Sequence, residues 1–326
     1  MDERCISGLE SLPAAARSCV LTIGNFDGVH VGHRRIVEAA RALADRQGGA
    51  VVAMTFEPPP DLVLRPDDAP QRLVPPGVKC ELLREAGCDW VVTAKADRAL
   101  LALEPGEFVE QVIVRHFAPR WIVEGPNFSF GRARAGSVDA LRQAGASAAF
   151  DVHVAEPVAL ELSDGREIVS STLIRSLVAA GRAAEAARCL GRDFALYGRV
   201  VPGEGLGRKL QYPTANLAPG EQICPGDGVY AGLAELAGRE YAAAVSIGTK
   251  PTFTDGQAGE RTVEAFLLDA SGDFYGAAMK LSFVRRLRDQ RRYDGPEALK
   301  AQLARDVERV REIVAAGGRK SVGSGR

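Results

Sequence analysis

No stretch of this chain comes near the run of about eighteen apolar residues that a membrane-spanning helix requires. Residues 1–18 carry acidic side chains where a secretion leader would be basic, so a cytoplasmic location without membrane contact is expected. Neither sign of charge is in surplus: 41 Lys and Arg against 42 Asp and Glu leave a net charge of −1. A near-neutral surface lacks the field that draws nucleic acid or anionic lipid, so any anionic ligand must be met by basic groups placed locally. The six cysteines (Cys5, Cys19, Cys80, Cys88, Cys189 and Cys224) show neither CxxC pairs nor nearby histidines. That spacing argues against a zinc site, and all six are expected to be free thiols rather than a disulfide frame. Internal repeats and low-complexity core segments are missing as well.

What is present is the composition of an α/β protein, 46% apolar and 25% charged over 326 residues with 35 glycines. Such a length exceeds what one core usually serves, so two domains are expected. From residue 19 to about 181, short apolar runs (19–23, 50–55, 90–93, 121–124) alternate with helix-like stretches (34–45, 78–86, 105–117, 171–180). Alternation of this kind implies a doubly wound parallel sheet with its site at the carboxyl ends of the strands. Near residue 190 the pattern changes to short β-rich runs (194–201, 228–236, 240–247, 261–268, 277–283) separated by turn residues, the spacing of a small antiparallel β-barrel. One amphipathic helix over 296–314 then closes it. The expected limits are 18–185 for the first domain, 190–315 for the second and 316–326 for a disordered tail.

Only four histidines occur, and two of them stand in one turn, GNFDGVHVGH over residues 24–33. This turn follows an apolar run and opens directly into a helix-like stretch, which is the setting of a phosphate-handling site. Gly24, Gly28 and Gly32 let the backbone turn sharply and approach a ligand closely. The helix beyond points its N–H groups and positive dipole end back at the turn, where a triphosphate can sit. His30 and His33, three residues apart, can both face that anion. Phe56-Glu57-Pro58-Pro59-Pro60 can continue neither a helix nor an inner strand, and reads either as a loop bordering the site or as plain punctuation.

Further stretches fit the same chemistry. VSSTLIR over 169–175 starts a helix where Ser171 or Thr172 can cap and Arg175 can turn to phosphate oxygens, although an ordinary capped helix looks the same. GPNFSFGR over 125–132 offers aromatics, an amide and arginine for a flat phosphorylated ligand, or simply packs. In the second domain, GEGLGRKLQYPTAN over 203–216 leads its glycines into a proline rather than a helix, which argues against a dinucleotide-binding turn. Backbone amides of Gly203, Gly205 and Gly207 can instead wrap phosphates, with Arg208 and Lys209 as counter-charges. Thr214 and Asn216 offer hard oxygens of the kind magnesium prefers. Glu264 is a carboxylate in an otherwise apolar run, which is costly without a task or a partner, and it can accept a proton from a hydroxyl under phosphorylation.

The HxGH element resembles the nucleotidylyltransferase signature. Taken in order, GNFDGVHVGH, GPNFSFG, VSSTLIR, GEGLGRKLQYPTANL and VEAFLLD resemble the prokaryotic bifunctional riboflavin kinase/FAD synthetase family across nearly the whole chain. The resemblance implies an N-terminal Rossmann-like nucleotidylyltransferase domain that converts FMN and ATP to FAD and pyrophosphate. It also implies a C-terminal riboflavin kinase barrel that makes FMN from riboflavin and ATP, with Mg2+ in both steps. By motif position, Gly24, Asn25, Phe26, Asp27, Gly28, His30 and His33 would bind the ATP of adenylyl transfer, helped by Ser171, Thr172 and Arg175. Asn127 and Phe128 would lie near FMN. Gly203, Gly205, Gly207 and Arg208 would bind the kinase ATP, Thr214 and Asn216 would hold its phosphates and the metal, and Glu264 would be the base. Arg288 matches an arginine near the family's flavin loop, although the basic run 285–292 can equally be solvated surface.

Departures from the family pattern are Pro59 for a usual His, 94–97 for a Phe-containing acidic stretch, Ser129 for a basic residue and Gln211 for Gly. The first three fall on the adenylyltransferase side. Two other readings are a kinase whose N-terminal half is impaired or uses another adenylyl acceptor, and a non-catalytic flavin-binding protein. The expected partners are small molecules (riboflavin, FMN and ATP), with no nucleic acid and no membrane, in a monomer or weak oligomer.

Overall fold

The computed structural model describes residues 3–202, 214–249, 261–272, 274–291 and 293–316. The chain divides into two compact units, Met1–Ser171 and Thr172–Arg326. In chain order the first contains β1 (Cys5–Ser7), β2 (Val20–Ile23), α1 (Val31–Gln47), β3 (Val51–Glu57), α2 (Pro60–Leu64), α3 (Pro76–Glu85) and β4 (Trp90–Lys95). Next come α4 (Arg98–Leu101), α5 (Pro105–Phe108), which runs into a π-helical stretch Val109–Phe117, and β5 (Trp121–Glu124). The small pair β6 (Ser129–Phe130) and β7 (Gly136–Ser137), helix α6 (Val138–Ala148), β8 (Asp151–Val154) and the hairpin β9 (Ala159–Leu162) and β10 (Gly165–Ile168) complete it.

Six strands form one sheet in the order β1-β4-β3-β2-β5-β8, and every neighbouring pair is parallel. β2 is buried along its whole length, as a strand covered on both faces must be, and therefore reads as a continuous apolar run. Its side chains alternate between two cores. Val20 packs with Val37 and Ala40 of α1 and Leu83 of α3, whereas Leu21 packs with Ile113 and Phe117 of the π-helical stretch. Strand order reverses direction between β2 and β5, which opens a crevice at their carboxyl ends.

The second unit holds α7 (Ser171–Ala179), α8 (Ala183–Leu190) and the strands β11 (Phe194–Val201), β12 (Thr214–Ala218), β13 (Gly228–Leu236), β14 (Arg239–Thr249), β15 (Arg261–Leu267) and β16 (Ala278–Arg288). They close into an antiparallel barrel in the order β11-β12-β15-β14-β13-β16, which leaves no sheet edge exposed. The helix Pro296–Ala316 lays Val310 and Val314 on Ala231, Leu233, Ala242 and Ala244 of the barrel's outer face. The end of α7 is tied to the barrel unit. The Gly226 N–H donates to the Val178 carbonyl at 3.0 Å. The expected tail from 317 onward lies outside the described residues. Among those described, no helix is long and apolar enough to cross a membrane.

One expectation is overturned. Cys5 and Cys80 form a disulfide with Cα atoms 6.2 Å apart, while Cys19, Cys88, Cys189 and Cys224 are free and buried. The partners are 75 residues apart in sequence and meet only because β1 and α3 lean on the same core cluster. Both tryptophans, Trp90 and Trp121, lie in this unit, so their fluorescence follows its unfolding. Reducing the bridge, or Cys5→Ser, should lower the unfolding free energy by up to about 4 kcal/mol, the chain-entropy contribution of a crosslink closing a loop of this length. A denaturant midpoint unmoved by reductant would contradict that.

Candidate functional sites

Strand β2 ends at Ile23, and the chain turns through residues 24–30 into α1. The Gly24 N–H still donates to Met54 O at 3.0 Å, extending the ladder with β3. Beyond it the backbone enters the left-handed region at Phe26 (φ 47°), Gly28 (φ 81°) and Val29 (φ 38°). Glycine adopts that conformation freely, but a bulky Phe and a β-branched Val are strained there and persist only where the surroundings hold them. Several elements do so. The Asn25 carbonyl accepts from Thr55 Oγ1 on β3 and Lys79 Nζ on α3, each at 3.2 Å. Both Asp27 carboxylate oxygens accept from the Leu73 N–H at 3.0 Å, and the Asp27 carbonyl accepts from Ser171 Oγ at 2.8 Å. Asn25, Asp27 and Ser171, all expected to bind ATP, are thus first of all the fabric of the turn.

The histidines stand at its exit. His30 caps α1, its Nδ1 accepting from the His33 N–H at 3.3 Å. Their rings stack with centroids 3.6 Å apart and planes 18° from parallel, and Phe26 meets His33 edge-on at 5.2 Å. Gly32 leaves room for this approach, since a Cβ there would lie 3.1 Å from the His30 ring and press on it. Burial drives the His33 pKa well below the usual imidazole range, and the nearby His30 and Lys79 push the same way. Without ligand, His33 is therefore neutral at pH 7. His33 Nδ1 and Arg34 Nε are buried with no hydrogen-bond partner among the described residues. Such groups are rare in a folded protein, and an anion at the positive end of α1 would satisfy them.

At the crevice between β2 and β5, the ladder pairs Val20 with Trp121 and Leu21 with Ile122 and then stops. Glu124 takes over from the backbone: its Oε1 accepts from the Ile23 N–H at 2.6 Å. The side chain is buried, and burial raises its pKa well above the usual carboxyl range against the opposing Ile23 hydrogen bond. Sequence reading missed it because it passes for the last residue of an apolar strand. In the loop after β5, Asn127 is exposed, while Phe128 stacks on Phe130 with centroids 5.6 Å apart and leans on the core. Thr172 and Arg175 lie on α7 in the second unit.

In the barrel the site is organised by register. Asn216 of β12 pairs with Glu264 of β15, which pairs with Ser246 of β14. Val263, Ala265 and Leu267 are buried on one face of β15, and Glu264 lies half-buried on the other. Thr214, two residues from Asn216, shares that residue's face. Gln290 extends the row, its Nε2 donating to Ser246 Oγ at 2.8 Å and Ile247 O at 2.9 Å. No motif marks Ser246 or Gln290, and only the register reveals them. Arg288 is ion-paired with buried Asp306 of the closing helix at 2.7 Å rather than lying free in a basic surface. Gly203, Gly205, Gly207, Arg208, Lys209 and Gln211 lie outside the described residues. Among those described, no group of three or more His, Cys, Asp or Glu could hold a metal, so a metal here would depend on hydroxyl, amide and phosphate oxygens.

Residues 12–173 match the family model for FAD synthetase, and residues 190–314 match that for riboflavin kinase. A bifunctional riboflavin kinase/FMN adenylyltransferase of Escherichia coli strain K12 is 36% identical over 316 residues, which cover 95% of this chain and 97% of its own. A protein of the same name from Bacillus subtilis is 30% identical, covering 88% and 90%. A crystal structure described as a macrolide-efflux protein from Streptococcus pneumoniae shares the fold with a TM-score of 0.84 at 27% identity, covering 94% and 99%.

Glu124 supplies a stability test. A carboxyl whose folded pKa exceeds its unfolded value stabilises the fold at low pH, where both states hold the proton. That contribution is lost as pH rises toward the folded value, because the unfolded chain ionises first. Glu124→Gln keeps the acceptor for Ile23 and cannot ionise. It should raise the thermal unfolding temperature at pH 8 by the equivalent of about 1.4 kcal/mol per unit of raised pKa, with no gain near about pH 4. A variant less stable than the parent at pH 8 would contradict the raised pKa of Glu124.

Proposed function

The chain belongs to the bifunctional riboflavin kinase/FMN adenylyltransferase family, and from that premise we propose how its residues divide the two reactions. The protein phosphorylates riboflavin to FMN with ATP and adenylylates FMN to FAD with release of pyrophosphate. The observation that carries the assignment of the adenylyl site is the stacked histidine pair at the carboxyl end of β2, with His30 buried and His33 Nδ1 shielded from solvent.

In that step an FMN phosphate oxygen attacks the α-phosphorus of ATP, and negative charge builds on the departing pyrophosphate. His30, His33 and the start of α1 meet this charge as ready-placed donors, and the residues of the turn hold the nucleotide. Growing negative charge beside His33 raises its proton affinity, so a ring that is neutral before binding stabilises the leaving group best when it is needed. No covalent intermediate is required; positioning and electrostatics carry the rate. Asn127 and Phe128 border FMN, and Ser171, Thr172 and Arg175 assist with ATP.

In the kinase step, Glu264 takes the proton of the terminal ribityl hydroxyl as its oxygen attacks the γ-phosphorus. Gly203, Gly205, Gly207 and Arg208 hold phosphates. Arg288, fixed by Asp306, borders the flavin. The oxygen donors Thr214 and Asn216, with no soft ligand beside them, fit Mg2+, which when bound neutralises phosphate oxygens of ATP. The working segments are 18–185 and 190–315, the substrates are small molecules, and the setting is the cytoplasm.

Chromatography of flavins after incubation with riboflavin, ATP and Mg2+ tests this division. His33→Ala should cut FAD formation by about 100-fold and leave FMN formation within twofold. Glu264→Gln should silence FMN formation and still permit FAD formation from supplied FMN. Equal loss of both activities in either variant would contradict separate sites. FMN accumulating in the parent without FAD would instead favour another adenylyl acceptor, the reading to which Pro59, residues 94–97 and Ser129 point.

A further inference from the structure

We propose that Lys79 is a positioning residue of the adenylyl-transfer site: its ammonium ties the strained turn after β2 to the end of β3 and sets a fixed positive charge beside the histidine pair. The proposal rests on the reading of the His30/His33 turn as that site. Lys79 lies in the first turn of α3, and only 6% of its surface is exposed. Lysine is rarely buried so fully without a carboxylate partner. Here the Nζ donates to two backbone carbonyls instead, Asn25 O at 3.2 Å and Phe56 O at 3.3 Å, and forms no ion pair among the described residues. Both carbonyls lie at the carboxyl ends of adjacent parallel strands, where this sheet presents its ligand. An ammonium has three donors, so one remains beyond these two bonds.

The charges around it are arranged to keep Lys79 out of a simple salt bridge. Glu57, at the end of β3, is held bidentately by Arg72 at 2.6 and 2.8 Å. Asp27, in the turn, accepts from the Leu73 and Val74 backbones. His33, on α1, feels the Lys79 charge. A methionine would fill the same space with no buried charge to desolvate, but it would leave the Asn25 and Phe56 carbonyls without this donor, so the desolvation cost of the lysine is set against two hydrogen bonds. Its cost is explained if the charge acts on the triphosphate.

Protonation gives the means to separate a functional from a structural role. Burial, helped by Arg72 and opposed by Glu57 and Asp27, lowers the Lys79 pKa from its ordinary 10.5 to about 8. Between those two values the unfolded chain holds the proton and the folded one does not, so the contribution of Lys79 to stability rises with pH. Its contribution to adenylyl transfer should fall over the same range, as the positive charge is lost. A side chain that served only the fold would move both together.

The test uses the full-length protein, with FAD formation from FMN and ATP and FMN formation from riboflavin measured from about pH 6 to about pH 10 for the parent, Lys79→Met, Lys79→Arg and His33→Ala. Lys79→Met should lower kcat/KM for ATP in FAD formation by about 30-fold or more and abolish its alkaline limb, with FMN formation within twofold. Lys79→Arg should restore part of the rate and move the alkaline limb upward. Parent-like FAD formation with the same alkaline limb in Lys79→Met, or equal loss of both activities in the Met and Arg variants, would overturn the proposal. Normal FAD formation in His33→Ala would refute the site assignment itself. Loss in His33→Ala with parent-like Lys79→Met would refute the role of Lys79 alone.

Discussion

The carbonyl oxygen of Asn25 is the point on which the chemistry of the first unit depends. Donors from two separate elements, Thr55 on β3 and Lys79 on α3, converge on it, and two residues further on Asp27 takes the backbone N–H groups of Leu73 and Val74. These contacts hold a backbone that local preference opposes. A strained residue such as Phe26 or Val29 costs on the order of 1–3 kcal/mol. A hydrogen bond contributes about 0.5–1.5 kcal/mol net, and about 1.5–3 when one partner is charged. The opposing terms are of one size, so the turn exists only because the surrounding fold makes it. Its shape has functional consequences: α1 starts where it does, His30 caps it, and His33 stacks on His30.

The barrel reaches its chemistry by another route. Nothing comparable in backbone strain marks the strands that carry Asn216, Glu264 and Ser246; register alone brings them side by side. Closure of the barrel fixes that register, since a slip of one residue would move every side chain of a strand to the other face. The closing helix adds the last constraint through Asp306, which holds Arg288 at the end of β16. One unit therefore places its reactive groups on a forced turn and the other on a regular ladder.

Much of this was legible in the sequence. The continuous apolar run of β2 and the strand–helix alternation after it announce a parallel sheet, and the glycine turn with two of only four histidines announces its site. Barrel strands such as Phe194–Val201 and Gly228–Leu236 emerge from alternation and turn residues with the limits they have in the fold. Other parts were hidden for physical reasons. Helix α6 is rich in Ala, Ser and Gly, which also populate loops, and β12 begins in Thr-Ala-Asn, which reads as a turn until β11 and β15 pair with it. Glu124 and Lys79 owe their character to burial, which no local pattern reports. The link between Cys5 and Cys80 joins segments that meet only in the packed fold.

The account's central claim is that the turn stacks His30 on a neutral His33, ready to receive the ATP phosphates, before any substrate arrives. Nitrogen-15 NMR of the imidazole rings measures this directly, because only His116, on the π-helical stretch, and His153, on β8, share the spectrum with the pair. Adding a non-hydrolysable ATP analogue with Mg2+ should shift the ring resonances of His30 and His33, that of His33 from neutral toward hydrogen-bonded or protonated positions, while His116 and His153 hold still. His33 already protonated at pH 7 without ligand, or a pair that ignores the analogue while it binds, would contradict the account.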